Sequence, residues 1–174
     1  FLQVSKVSPY YPHALYYYSY IVYREGHYIE AEEGFFQLRR YAGYEALAPV
    51  YLLQIEYRRC NYDYVISEGE ALLEKASSTT RTDIVRVLAE SYFIQGDYNN
   101  ALKYINTYPE EMFGRQENYI RGYSLYRMTQ YREAVQALSK VCGAEDALTQ
   151  NASYHLADCY LNMGNKQMAA DAFA

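Results

Sequence analysis

The chain contains no tryptophan, only three cysteines and four prolines, and no apolar run near the roughly 20 residues needed to cross a bilayer. Each shortage excludes something. Without such a run no transmembrane helix and no membrane insertion is expected. Cys60, Cys142 and Cys159 form no C-x-x-C pair, which argues against a zinc site, and their odd number leaves no fully paired disulfide set. They read as free thiols. His13, His27 and His155 lie far apart, none with a second His or Cys at ligand spacing. His155, between Tyr154 and Leu156, reads as a packed or surface histidine rather than a base or ligand. No glycine-rich phosphate loop and no Gly-x-Ser-x-Gly occurs. Glu32-Glu33 and Glu110-Glu111 read as solvated pairs. The sequence therefore offers no catalytic residue, no metal ligand set and no cofactor site, and an enzyme is not expected. The 16 basic against 21 acidic residues leave a net charge of -5 with no basic stripe, which argues against a nucleic-acid partner.

What the chain has in excess is tyrosine: 24, against 6 phenylalanines. It also repeats itself. Leu88-Ala89-Glu90-Ser91-Tyr92-Phe93-Ile94-Gln95-Gly96-Asp97-Tyr98-Asn99-Asn100-Ala101 reads as the end of one amphipathic helix, a turn at Gly96-Asp97, and the start of a second helix with a new stripe at Tyr98, Ala101 and Ile105. Glycine suits the turn because it adopts the left-handed conformation without a Cβ clash. The pattern recurs at Gly26–Ala31, Cys60–Val65, Thr129–Ala134 and Gly164–Ala169. Its small anchor falls at 31, 65, 101, 134 and 169, with separations of 34, 36, 33 and 35.

Ten helices follow, with boundaries good to roughly two to four residues. They are expected in pairs over about 13–25 and 28–40, 46–59 and 62–76, 82–95 and 98–107, 115–128 and 131–141, and 149–163 and 166–174. Pro12 can open the first helix, since its missing N–H costs nothing in a first turn. Ser77–Arg81 is expected as the longest loop, with Thr82 as the N-cap of the helix that follows. Tyr108-Pro109-Glu110-Glu111 breaks the chain between the third and fourth units. No linker divides the array, so 1–174 reads as a single solenoid with units over about 12–45, 46–81, 82–114, 115–149 and 150–174, the last incomplete. Phe1–Val7, within 1–11, reads as the tail of a preceding helix, and the sequence as a piece of a longer array. Phe1, Val4, Ala169 and Phe173 belong to stripes that lack a covering helix, so self-association through the ends is expected.

The frame L-A-x-x-Y-x-x-x-G-x-Y-x-x-A of Leu88–Ala101 resembles the centre of the tetratricopeptide repeat, a helix–turn–helix unit of 34 residues. The resemblance implies an all-α, right-handed superhelical solenoid of about five units, whose first helices line a concave face that binds extended peptides or helices. On that analogy the partner-binding residues are Tyr16, Tyr20, Tyr23 and Arg24 in the first unit, and Gln54, Tyr57 and Arg58 in the second. Arg86, Glu90 and Phe93 follow in the third, Tyr119, Tyr123, Tyr126 and Arg127 in the fourth, and Tyr154 and Asp158 in the fifth. The implied function is a non-enzymatic scaffold for protein–protein interaction, with a protein or peptide as partner. The alternatives are a ligand-recognition module that stacks glycans on its tyrosines, which the lack of tryptophan disfavours, or a self-assembly unit of a larger repeat protein. The rhythm of Phe1, Pro9, Ala14, Tyr17, Gly26-x-Tyr28-x-x-Ala31 and Phe35 also resembles bacterial cell-envelope repeat proteins of the Tol-Pal accessory and outer-membrane-assembly lipoprotein type. That resemblance implies a periplasmic or cell-envelope location.

Overall fold

The computed structural model describes residues 4–173, and all regular structure among them is helical. The helices are α1 (Tyr11–Arg24), α2 (Tyr28–Leu38), α3 (Ala48–Arg58), α4 (Tyr62–Leu73), α5 (Ser78–Ile94), α6 (Tyr98–Ile105), α7 (Arg115–Arg127), α8 (Tyr131–Leu138), α9 (Ala147–Asn162) and α10 (Lys166–Phe173). A single 3-10 turn, Glu110–Met112, follows Pro109 at the expected break between the third and fourth pairs. Pro12 sits in the first turn of α1, as its chemistry requires.

Two expectations are corrected. Residues 4–10 form a bend and turns, so the helical tail expected over 1–7 is not found in its described part, and Phe1 lies outside the described residues. The other correction concerns α5, which starts at Ser78 rather than after an N-cap at Thr82, so the expected loop Ser77–Arg81 is mostly its first turn. Ser77, Ser78, Thr79, Thr80 and Thr82 are all cap-competent or weak helix formers, and composition alone leaves the start open. The hydroxyl of Ser77 lies 2.8 Å from that of Thr79 and 3.1 Å from that of Thr80, and the buried Thr80 draws the segment into the helix.

The five helix–turn–helix joints share one backbone geometry. The residue ending each first helix has a positive φ: Gly26 (85°), Cys60 (61°), Gly96 (79°), Thr129 (61°) and Gly164 (78°). The next residue's N–H then donates back five positions, from His27 to the Val22 carbonyl, Asn61 to Glu56, Asp97 to Tyr92, Gln130 to Leu125 and Asn165 to Tyr160, at 2.8–3.0 Å. This is the six-to-one bond of a left-handed helix terminus. Four residues after that donor the anchor points inward: Ala31, Val65, Ala101, Ala134 and Ala169 are all buried.

The chain divides into two compact units, residues 1–87 and 88–174, where the sequence reads as one undivided array; the boundary falls inside α5. In the first unit α2 packs on both α1 and α3, and α3 on α4. Its core gathers Leu15, Val22, Ala31, Phe35, Leu38, Ala48 and Ile55. Full burial of side chains as large as Phe35 or Leu38 stabilises by about 1.5–3 kcal/mol each. The second unit stacks α6 on α7, α7 on α8, α8 on α9 and α9 on α10. Leu125, Ala134, Leu138, Val141, Ala152, Leu156 and Cys159 form its core. Gly122 permits the close approach of α7 and α8: a Cβ there would stand 2.8 Å from Leu138 Cγ and 3.0 Å from the Leu138 nitrogen.

A polar clasp sets the start of α9. Asp146 is its N-cap and accepts the Thr149 N–H at 2.8 Å. Arg115, at the start of α7, donates to both oxygens of Asp146 at 2.7 and 2.9 Å, to Thr149 Oγ1 at 2.6 Å and to the Val141 carbonyl at 2.8 Å. The guanidinium holds the Asp146 carboxyl well below the usual carboxylate range.

Candidate protein-binding surface

The tyrosines expected on the first helices form two separate aromatic clusters, one in each unit. In the first unit Tyr16 and Tyr20, one turn apart on α1, stack with ring centroids 6.2 Å apart. Both also meet Tyr51 of α3 edge-on at 6.0 Å, and Tyr16 shares a 3.1 Å hydrogen bond with the Tyr51 hydroxyl. Tyr51 lies flat on Phe35, 4.4 Å between centroids, so the exposed cluster rests directly on the core. Burial, then the Tyr16 hydrogen bond, push the Tyr51 phenol up from its ordinary pKa. Tyr23 donates to Gln54 Oε1 at 3.1 Å, joining α1 to α3. The Arg24 guanidinium donates to the Tyr20 hydroxyl at 3.2 Å and stands 6.0 Å from that ring's centroid.

The second unit repeats the arrangement with other residues. Phe93 meets Tyr119 and Tyr123 edge-on at 6.0 and 5.6 Å, and Tyr119 stacks on Tyr123 at 5.8 Å. Arg127 donates to the hydroxyls of Tyr98 and Tyr123 at 3.1 and 3.2 Å, with its carbon 4.6 Å from the Tyr98 ring centroid. Tyr126 donates to Asp158 Oδ2 at 2.7 Å, joining α7 to α9. That bond to a carboxylate, ahead of burial, pushes the Tyr126 phenol up to about 12. His155 is packed among the rings of Tyr123 (4.7 Å), Tyr126 (4.9 Å) and Tyr154 (5.2 Å), and burial holds it below its ordinary value.

The expected residues are thus brought together as two sets. Tyr16, Tyr20, Tyr23, Arg24 and Gln54 share one surface, and Arg58 is coupled to it through the Tyr23 hydroxyl, which raises its pKa. Phe93, Tyr119, Tyr123, Tyr126, Arg127 and Asp158 share the other. Tyr57 turns to Tyr62 of α4, 5.9 Å away, and Arg86 is half-buried on α5. Tyr154 is exposed on α9 beside His155. Glu90 is a correction: it is buried and presents no carboxylate to a partner, because the middle of α5 turns both Ala89 and Glu90 inward. Two residues outside the expected set, Tyr51 and Tyr98, belong to these clusters. Tyr51 falls one position outside the register expected for the face, and Tyr98 opens a second helix rather than a first; His155, expected as a packed or surface histidine, is packed.

Residues 151–174 match the tetratricopeptide repeat family model. No curated protein matches the chain. Among solved structures it is similar to MamA of AMB-1, with a TM-score of 0.75 at 15% identity over 95% of this chain and 90% of that one. It is similar to a MamA RS-1 double mutant at a TM-score of 0.73 and 13% identity, over 93% and 90% of the two chains. A tetratricopeptide repeat protein from Parabacteroides merdae aligns at a TM-score of 0.68 and 18% identity, over 93% of this chain and 65% of that one. The resemblance to Tol-Pal accessory and envelope lipoproteins gains no support from these matches. The fold is that of the tetratricopeptide-repeat solenoids, carried by a sequence no more than 18% identical to any of these three structures.

Proposed function

We propose that the protein is a non-enzymatic scaffold that binds a protein segment, extended or helical, on the tyrosine clusters of its first helices. One observation carries this reading. In each unit several half-exposed rings form one continuous surface, with an exposed arginine, Arg24 or Arg127, stacked at its edge. Tyrosine offers a large contact area with few rotatable bonds and a polar tip, which is why it is enriched where proteins bind. Repeat arrays use the face made by successive helix pairs for this purpose. In either unit taken by itself, an acidic side chain of the partner would pair with the guanidinium group while apolar residues lie on the rings.

The test is a capture experiment followed by two variants, each required to keep wild-type helicity and melting. Exposed charge pairs contribute about 0–1 kcal/mol each, so the rings supply most of the affinity and the arginines the approach rate. Replacing Tyr20, Tyr23 and Tyr123 with Ala weakens binding of the captured segment more than replacing Arg24, Arg58 and Arg127 with Gln. The arginine variant loses most of the salt dependence of association. A partner that binds both variants as tightly and as fast as wild type refutes the assignment.

A further inference from the structure

One helix pair departs from the repeat register on its solvent side. Two positions before the buried anchor the later pairs carry Asp63, Asn99, Arg132 and Gln167, all exposed, whereas the first pair has Ile29, 70% exposed. Five positions after the anchor stand Glu70, Asn106 and Ser139, against Phe36, 51% exposed. The later pairs fold with polar residues at these places, so packing within a pair requires neither Ile29 nor Phe36. Stacking does not hide these positions either. The second pair packs on α2 through α3, and the fourth on α6 through α7, yet Asp63, Arg132 and Ser139 stay exposed. A further pair stacked in the same manner would leave Ile29 and Phe36 in water.

Ile29 and Phe36, two turns and about 10 Å apart on α2, line a shallow groove together with Glu32, Glu33 and Gln37. Arg39 stands over the Phe36 ring, 5.0 Å from its centroid, and also lines an apolar pocket with Leu52, Tyr64, Glu68 and Leu72 of α3 and α4. Tyr64 is exposed and lies close enough to feel the charges of Arg39 and Glu32, so α2 and α4 share one surface. Glu30, Glu32 and Glu33 on α2 and Asp63, Glu68 and Glu70 on α4 are opposed by no lysine or arginine on either helix. Glu32 is paired with Arg59 at 2.7 Å, whereas Glu33 and Glu68 have no ion-pair partner among the described residues.

We propose that α2 and α4 form a second docking surface, which takes a basic amphipathic helix of another protein. Its apolar side chains lie on Ile29, Phe36 and Tyr64, and its lysines or arginines meet Glu33 and Glu68. A helix fits because the receiving stripe itself has helical spacing. The tyrosine clusters present arginines and this surface presents carboxylates, so it takes a partner of opposite charge and does not rest on the function proposed above.

The probe is a labelled helical peptide of about 18 residues, leucines on one face and lysines on the other, titrated by fluorescence anisotropy. Ile29→Asn with Phe36→Asn installs the residues that the third pair carries as Asn99 and Asn106. This variant is expected to keep wild-type circular dichroism and to melt within about 2 °C of wild type. The wild type binds the peptide saturably at one site, and the asparagine variant binds it about tenfold or more weakly. Glu33→Gln with Glu68→Gln loses most of the salt dependence of binding. Tyr20→Ala with Tyr123→Ala binds the peptide as wild type does, which separates this surface from the tyrosine clusters. Absence of saturable binding, equal binding by the asparagine variant, or loss of binding in the tyrosine variant overturns the proposal. So does self-association of the wild type in sedimentation velocity that the asparagine variant abolishes, since a second copy would then cover the face.

Discussion

The shared turn geometry invites a reciprocal exchange between the third and fourth helix pairs. Thr129 holds a left-handed conformation (φ 61°) where the preceding pair has Gly96 (φ 79°), and the backbone closes identically around both. An L-residue in that conformation costs roughly 1–2 kcal/mol, and a β-branched one sits at the upper end of strain. Glycine relieves this strain but loses about 0.5–1 kcal/mol through its freer unfolded chain. Thr129→Gly is therefore expected to stabilise by about 0.5–1 kcal/mol, a rise in melting temperature of roughly 1–4 °C for a chain of this size. Gly96→Thr is expected to destabilise by a similar amount, since a Cβ there meets only the Tyr98 hydroxyl at 3.9 Å, an ordinary contact, leaving backbone strain as the cost. The double exchange should lie within about 0.5 kcal/mol of wild type if the turns act independently. The assay is urea unfolding followed by circular dichroism, with the slopes compared to confirm that the transition is unchanged in kind. A lower midpoint for Thr129→Gly, or two single variants that shift in the same direction, refutes the argument.

Ala101 is fully buried at the start of α6, so Ala101→Leu should cost about 1–3 kcal/mol through overpacking. Exposed Asn99→Leu should cost less than about 0.5 kcal/mol, and equal urea midpoints for the two would contradict the helix-pair packing. Asp146 has its carboxyl depressed by Arg115, so the ion pair adds stability that is present above the ordinary carboxylate range of about 4 and is lost as pH falls below it. Asp146→Asn should flatten the acid limb of a melting-temperature profile between neutral and strongly acidic pH while leaving the alkaline limb alone. An unchanged acid limb would show that the clasp is not energetically coupled to folding.

Much of the fold is legible in the sequence because its signals are local and repeated. At fixed offsets a glycine marks three of the five turns, an aromatic follows in four and a small anchor closes all five, and the repetition itself removes doubt that a single copy would leave. Cys60 and Thr129 show the limit: nothing in either side chain announces a left-handed conformation, and only the register of the other three turns places them. The start of α5 is ambiguous for the opposite reason, too many residues able to cap. The binding surface is less legible. That Tyr16, Tyr20 and Tyr23 share a helix face follows from spacing, but that Tyr51 completes their cluster depends on how α3 meets α1. That Arg127 lies over Tyr98 depends on how α6 meets α7, and the burial of Glu90 on packing around α5. These are facts of tertiary contact, and no local pattern encodes them.

The hydroxyl bonds of Tyr16 to Tyr51, Tyr23 to Gln54 and Tyr126 to Asp158 have a thermodynamic consequence for recognition. A partner that meets freely rotating side chains must spend part of its binding energy on freezing them, about 0.5–1.5 kcal/mol for each rotamer-rich chain. Here the rings hold one another before any partner arrives, so that ordering entropy is lost when the chain folds. Docking then proceeds nearly as a rigid body, and whatever segment fits this surface brings most of the disorder that must be given up. The heat-capacity change on association should accordingly match the apolar area covered, with little added for rearrangement of the surface itself.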